Sequence, residues 1–171
     1  YHKLFFSADS GYFGGFKQIG DKYGPFDMTF IECGAYGEGW PKVHMFPKQT
    51  VQAHLDLKGD VLHPIHWSTF NLALHPWYEP MVRLTAAADD KNVKVATPIV
   101  GETTVYNKRI PTARWWEQAI ELAREVINTA AINVPGISRA LPIEKDSPAC
   151  RIRRFVTAHP VMLSRMNTPA A

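Results

Sequence analysis

FDMTFIEC, residues 26–33, is an apolar run of strand length, and a glycine-rich loop from Gly34 to Pro47 follows it. Such a run between turn residues is typical of a strand covered on both faces. Gly24-Pro25 ends a preceding segment in which aromatic and aliphatic residues recur at helical spacing. Pro47 begins a second helical segment that ends near Gly59. The alternation of strand and helix around residues 26–33 therefore predicts an α/β fold.

The same alternation continues on both sides of this run. Leu4 to Ala8 is predicted to form a first strand that is fully buried, and Val61 to Trp67 is predicted to form a third strand. Helices cover the faces of such a sheet, so we expect one sheet with helices packed on it. Further elements are predicted as helices at 79–90 and from an N-cap at Thr112 to Ile127, and as short strands at 93–96 and 103–106.

The composition excludes several classes of protein. The chain has 171 residues, of which 46% are hydrophobic and 20% are charged, and its net charge is +3. These values are those of an ordinary globular domain with enough chain to bury a core. Cys33 and Cys150 are too few for a disulfide framework and favour a reducing, cytoplasmic compartment. The apolar runs are far shorter than the roughly 18 residues of a membrane span, so we expect no transmembrane segment.

Charge and aromatic content change near residue 128. Residues 1–128 hold 13 Lys/Arg and 14 Asp/Glu, whereas residues 129–171 hold 6 and 2. All five tryptophans precede this point, and 5 of the 13 prolines follow it. We therefore predict a folded part at 1–128 and an irregular basic tail at 129–171. The tail lacks the interleaved aromatics of a nucleic-acid groove, so no nucleic-acid partner is expected.

Two residues indicate a functional site at one edge of the sheet. Asp9 follows the first predicted strand and His66 lies at the end of the third, and ligands of open α/β sheets gather outside the carboxyl ends of strands. A carboxylate beside apolar residues needs a partner, and a metal ion is one such partner. Alternatively, Asp9 caps the next helix and His66 is a hydrogen-bonded core histidine. His54, on the second helix, is predicted to lie at the surface.

Short motifs occur in a defined order within the first half of the chain: FSADSGY at 6–12, IG and YGPFD within 19–27, CGAY at 33–36, HM-x-P at 44–47, PIHWSTF at 64–70 and EP at 79–80. In order and spacing this set resembles the metallo-β-lactamase-fold hydrolases. The resemblance is to the branch with N-acylphosphatidylethanolamine phospholipase D and the ascorbate-phosphate lactonase relatives. Two positions depart from the motifs of this branch, since Cys33 replaces Ile and Ser68 replaces Gly.

The resemblance implies a fold and a metal site. The complete fold is a four-layer αβ/βα sandwich, and this chain would form one half of it, with one mixed sheet and its covering helices. Asp9 matches the aspartate that bridges two metal ions, and His66 matches the last histidine ligand. The implied cofactor is zinc, with two ions in the intact site, and manganese is the alternative.

The resemblance also implies a reaction. A metal-activated water would hydrolyse a phosphodiester or a lactone, and the substrate would be a small molecule or a lipid phosphodiester. His44 matches a histidine that assists the substrate phosphate or the leaving group, a role that imidazole suits near neutral pH. Tyr36 and Trp40 are candidates for the substrate pocket. They are equally compatible with simple packing of their loop.

The strongest motif of the family, H-x-H-x-D-H, does not occur in these 171 residues. It supplies most of both metal sites, and two recognised ligands do not hold two zinc ions. We therefore expect this chain to correspond to the C-terminal half of the fold, to be inactive alone, and to pair with a missing N-terminal half or with a second copy. The alternative function is a non-catalytic half-domain that self-associates or pairs with another chain. A third reading is an adventitious single-metal site at Asp9, His66 and His44.

Overall fold

A computed structural model of the protein describes residues 1–70 and 73–131. Strands and helices alternate over this part of the chain, as the hydrophobic pattern predicts. The elements are β1 (Leu4–Phe6), α1 (Gly15–Tyr23), β2 (Phe26–Glu32), α2 (Pro47–Asp56), β3 (Gly59–Ile65), α3 (Glu79–Asp90), β4 (Lys94–Val95) and α4 (Trp115–Ala131).

The four described strands form one sheet in the order β1-β2-β3-β4, and all three pairings are parallel. Each of the first three strands is followed by a helix before the next strand begins. A crossover of this kind returns the chain to the same end of the sheet, so neighbouring strands run in the same direction. The α/β class is therefore confirmed, although the described strands are parallel where the resemblance implied a mixed sheet.

Strand β2 lies inside the sheet and is covered on both faces. On one face Met28 packs with Val61 and Ala96, and Phe30 packs against this cluster. On the other face the Thr29 hydroxyl lies 2.7 Å from Nδ1 of His54, which places α2 over that side. Helix α2 in turn contacts α1 and α3. The interior position explains why five of the eight residues at 26–33 are apolar.

Two predictions about exposure are wrong. Leu4 and Phe6 of β1 are 58% and 64% exposed, although this strand was expected to be fully buried. Leu4 and Phe6 point to the same face of β1, and at this edge of the sheet the described residues leave that face open. His54 was expected at the surface but is 1% exposed, because its face of α2 packs on β2.

Two predictions about the segment before α4 are also wrong. Residues 103–106 form no strand, since Val105 makes an isolated antiparallel bridge with Arg109 inside a tight loop. Helix α4 begins at Trp115, so Thr112 is not its N-cap. Thr97 explains the later start, because its backbone N–H bonds to Pro111 and its hydroxyl bonds to the carbonyl of Ala113. These bonds hold residues 111–113 beside residue 97.

The chain divides into two units, Tyr1–Ala113 and Arg114–Ala171. Helix α4 is the described part of the second unit, and it continues past residue 128 to Ala131. Residues 132–171 lie outside the described residues, so the irregular basic tail stays a prediction. Among the described helices, none is both long and apolar enough to cross a membrane.

Candidate metal centre

Asp9, His44 and His66 lie on the three loops that follow β1, β2 and β3. One potential ligand atom from each side chain lies within 4.8 Å of the other two. Nδ1 of His66 is 3.1 Å from Oδ1 of Asp9, and the rings of His44 and His66 have centroids 6.3 Å apart. Because the strands are parallel, their carboxyl ends meet at one edge and bring these distant residues together.

Two glycines allow these loops to approach one another. A Cβ at Gly34 would lie 1.6 Å from the carbonyl oxygen of His66, and a Cβ at Gly11 would lie 2.3 Å from the carbonyl oxygen of Lys42. No side chain fits in either place. The Gly34 contact fixes the backbone of His66 against the start of the loop after β2, and the Gly11 contact joins the loop that carries Asp9 to the one that carries His44.

Three of the six non-glycine residues with positive φ in the described chain lie in the loops after β1 and β3. Ala8, His66 and Ser68 have φ values of 50°, 63° and 68°, which lie in the left-handed region that L-residues seldom adopt. Such residues cluster at binding sites, where the surrounding structure holds them in place. Ser68 is the position at which the related motif has Gly, and its positive φ is a physical reason for that Gly.

The three side chains differ in accessibility. The Asp9 side chain is 66% exposed, that of His66 is 34% exposed and that of His44 is 18% exposed. Burial lowers the pKa of His44, while the charge of Asp9 acts in the opposite direction and His66 adds to the lowering. A lowered pKa favours neutral imidazole near neutral pH, which is the form that binds metal or accepts a proton.

Glu32, the last residue of β2, is a member of this site that the sequence analysis did not single out. Its side chain is fully buried, Oε1 accepts a hydrogen bond from the backbone N–H of Met45, and Oε2 lies 3.3 Å from Nδ1 of His44. Burial is the main cause that raises the pKa of Glu32 to about 7, and the Met45 N–H opposes this rise while the charge of Asp9 adds to it. The sequence feature that could have identified Glu32 is its position as a charged residue inside the apolar run at 26–33.

The two pocket candidates have different environments. Tyr36 is buried, its hydroxyl donates to Oε1 of Glu79 at 2.8 Å, and its ring stacks on His75 with centroids 4.2 Å apart. This environment favours the packing alternative, and a substrate-binding role for Tyr36 stays a prediction. Burial and the bond to Glu79 raise the pKa of the Tyr36 hydroxyl. Trp40 lines an open cavity of about 190 Å³ together with Ala35, Val43 and His44.

The donor set fits a divalent metal. Zinc accepts imidazole nitrogen and carboxylate oxygen, and catalytic zinc sites commonly use three protein ligands and keep one open position. Asp9, His44 and His66 supply that number of donors within reach of one ion. Over residues 1–70 and 73–131 this is the one group of three such residues, so the described chain does not supply ligands for two ions.

A model of the β-lactamase superfamily domain matches residues 1–67, which include β1, β2, β3 and all three residues of the cluster. The chain is a metallo-β-lactamase-fold protein. It is 44% identical over 118 residues to an uncharacterized protein of Mycobacterium tuberculosis, covering 67% of this chain and 32% of that protein. It is 32% identical over 108 residues to N-acyl-phosphatidylethanolamine-hydrolyzing phospholipase D 1 of Caenorhabditis elegans, covering 58% of this chain and 30% of that enzyme.

A solved metallo hydrolase from the archaeon Ignicoccus hospitalis is 21% identical, with a TM-score of 0.46, and the match covers 61% of this chain and 42% of that one. This metallo-β-lactamase-fold chain spans about a third of the length of the M. tuberculosis and C. elegans relatives. The family model and the C. elegans relative confirm the family resemblance inferred from the motifs. The assignment of Asp9, His44 and His66 to individual roles stays a proposal.

Proposed function

We propose that this chain supplies part of the active site of a metal-dependent hydrolase. The observation that supports the proposal best is the convergence of Asp9, His44 and His66 at the carboxyl ends of β1, β2 and β3. A divalent metal held there would supply a water activated for attack on a phosphodiester or lactone. The name of the C. elegans relative describes hydrolysis of a lipid phosphodiester, which favours the phosphodiester class.

Each residue has a distinct role in this proposal. Asp9 and His66 hold the metal, since their side chains already lie 3.1 Å apart. His44 orients the substrate, or accepts the proton that the attacking water loses and passes it to the departing oxygen, because it is partly exposed and lines the same cavity as Trp40. The substrate is a small-molecule or lipid phosphodiester, or a lactone. Zinc is the proposed metal and manganese is the alternative, because both accept these donors.

The isolated 171-residue chain is expected not to catalyse this reaction. Three donors hold at most one ion, whereas the proposed intact site holds two. The test uses bis(p-nitrophenyl) phosphate and a simple lactone with the purified chain and added zinc or manganese. Hydrolysis that depends on the metal and disappears on chelation would overturn this expectation. A cytoplasmic location stays a prediction from the two cysteines.

Asp9→Asn and His66→Gln are each expected to weaken zinc binding by the chain by about tenfold or more. A change in a residue that merely supports a metal ligand already costs that much in other sites, and these residues are the proposed ligands themselves. Calorimetric titration with zinc chloride, on chain without a polyhistidine tag, measures the affinity. Metal analysis after dialysis gives the stoichiometry, which is expected to be one ion per chain or fewer.

Matched controls separate the site from general charge effects. Asp90→Asn and His2→Gln make the same chemical changes at exposed positions outside the cluster, and both are expected to leave zinc affinity unchanged. If Asp90→Asn weakened zinc binding as much as Asp9→Asn does, or His2→Gln as much as His66→Gln, a site at Asp9 and His66 would be contradicted. Two zinc ions per chain in the wild type would contradict the proposal that this chain holds only part of the centre.

The second candidate function is a non-catalytic half-domain that self-associates or pairs with another chain. The observation that favours it is β1, which pairs with β2 alone in the described sheet and exposes Leu4 and Phe6. An exposed apolar edge strand is a template for pairing with another strand. The amount of zinc bound per chain distinguishes the two candidate functions, because a non-catalytic half-domain requires no metal.

If β1 mediates self-association, the double variant Leu4→Lys/Phe6→Lys is expected to shift a concentration-dependent dimer to a monomer. Lysine on an edge strand opposes pairing by charge and desolvation. Sedimentation velocity over a range of protein concentrations measures the change, with Val82→Lys on α3 as the control at another exposed apolar position. A wild type that is monomeric at every concentration would contradict pairing between two copies.

A further inference from the structure

Glu32 is the most deeply buried acidic side chain near the cluster, and its two oxygens have different surroundings. Oε1 accepts the backbone N–H of Met45, and Oε2 faces the loop that carries His44. The residue is 0% exposed, so its carboxylate has no direct contact with water. Burial of a carboxylate costs free energy unless both oxygens accept hydrogen bonds, so Oε2 is expected to have a partner as well.

His44 is the group that faces Oε2. Its Nδ1 lies 3.3 Å from Oε2, within ion-pair distance, and both atoms are buried. Neither atom makes any other hydrogen bond within the part of the chain that the structure describes. The 3.3 Å distance is slightly longer than that of a normal N–H···O hydrogen bond. The two unsatisfied atoms are therefore complementary to each other.

We propose that Glu32 is a positioning residue that holds His44 in a single orientation and tautomer. The Glu32 carboxylate accepts only, so its contact places a proton on Nδ1 of His44 and leaves Nε2 as the nitrogen available to a metal or a substrate. A carboxylate behind a functional histidine is a common way to fix the ring and its tautomer. This inference rests on the function proposed for His44, but the tautomer itself is independent of metal and substrate.

The amide of Glu32→Gln is expected to reverse the tautomer. The backbone N–H of Met45 still requires an acceptor, so the amide oxygen takes the place of Oε1 and the NH₂ group faces His44. The NH₂ donates, so Nδ1 of His44 must then accept and its proton moves to Nε2. A purely structural role for Glu32 does not predict this exchange.

Long-range ¹H–¹⁵N correlation spectra of ¹⁵N-labelled chain distinguish the two tautomers, because protonated and unprotonated ring nitrogens have well-separated shifts. The sample contains EDTA and is held at about pH 8.5, where a carboxyl whose pKa is about 7 is mostly ionised. His44→Gln identifies the His44 signals. The wild type is expected to carry the His44 proton on Nδ1, and Glu32→Gln is expected to carry it on Nε2.

Two controls keep the result interpretable. Glu38→Gln makes the same change at an exposed position of the same loop and is expected to leave the His44 signals unchanged. His54, whose Nδ1 pairs with the Thr29 hydroxyl, reports on folding and is expected to keep its signals in every variant. A wild type with the proton on Nε2, or in exchange between both nitrogens, overturns the proposal without any variant.

An unchanged His44 tautomer in Glu32→Gln, with intact His54 signals, also overturns the proposal. The hydrolase proposal fails by a different result, namely the absence of zinc binding at Asp9 and His66. The two failures are therefore distinguishable, because the tautomer is measured without metal.

Discussion

Gly34→Ala is expected to lower the free energy of unfolding by about 3 kcal/mol and to displace His66 from Asp9. A Cβ at this position would lie 1.6 Å from the carbonyl oxygen of His66 and 2.8 Å from Cα of Trp67. Both contacts are with backbone, so no side-chain rotation relieves them and the strand end must move. Overpacking in well-ordered regions costs 1–3 kcal/mol or more, and this contact lies at the upper end of that range.

Urea unfolding of the wild type and the variant measures the loss of stability. Gly39→Ala is the matched control, because it lies in the same loop and a Cβ there meets no atom within 4 Å. We expect it to change stability by no more than about 0.5 kcal/mol. Equal urea midpoints for Gly34→Ala and Gly39→Ala would contradict the close approach of residues 34 and 66.

Gly34→Ala is also expected to weaken zinc binding, because movement of the His66 backbone separates its Nδ1 from Oδ1 of Asp9. The zinc titration is performed without urea, so that the variant is folded during the measurement. The control Gly39→Ala is expected to retain the wild-type affinity. A destabilised Gly34→Ala variant with unchanged zinc affinity would show that the contact supports the fold without setting the cluster geometry.

The elements that the sequence predicted well are those whose burial depends on local pattern. Helix α3 was predicted at 79–90 and is observed at Glu79–Asp90, and β2 ends one residue before the predicted limit. An interior strand is apolar on both faces, and a helix over a sheet shows apolar residues at helical spacing, so either pattern is visible in a short window. The convergence of strand carboxyl ends follows from parallel topology and was predicted from the same alternation.

The parts that were not predicted depend on contacts between distant residues. The exposure of β1 is decided by the strands beside it, and the burial of His54 is decided by the packing of α2 on β2. Glu32 acquires its role because the following loop folds back and brings the Met45 N–H and His44 to its two oxygens. In each case the contacting residues are distant in sequence, so the residues next to β1, His54 or Glu32 do not reveal them.

In Glu32→Gln, acidification from about pH 7 to about pH 4 is expected to cost about 3 kcal/mol of stability through His54. Burial lowers the pKa of His54 to about 4, although Asp60 acts in the opposite direction, whereas the unfolded chain has the ordinary value of 6.5. Between these values the unfolded state binds the proton and the folded state does not, so stability falls as the pH falls. The side chain is 1% exposed, so screening by solvent is small.

The wild type is expected to show a flatter profile because Glu32 has the opposite sign. Its folded pKa is about 7 and its ordinary value is 4.5, so the folded state holds a proton that the unfolded state has lost. Stability through Glu32 therefore rises as the pH falls from about 7 to about 4.5, and it offsets the loss through His54. Glu32→Gln removes this offset and leaves the loss through His54, to which His44 and His63 add because burial also lowers their pKa values.

The measurement is urea unfolding in EDTA at a series of pH values, and the informative quantity is the slope of stability against pH. The control is the double variant Glu32→Gln/His54→Gln, which lacks both groups and is expected to lose most of the dependence between about pH 6.5 and pH 4, keeping the part due to His44 and His63. Asp21, whose pKa the bonds from Lys58 and Lys17 lower to about 2, titrates mainly below this window and is present in both proteins. If the single and the double variant lose stability equally on acidification, His54 is not the group responsible, because the two proteins differ at that residue alone.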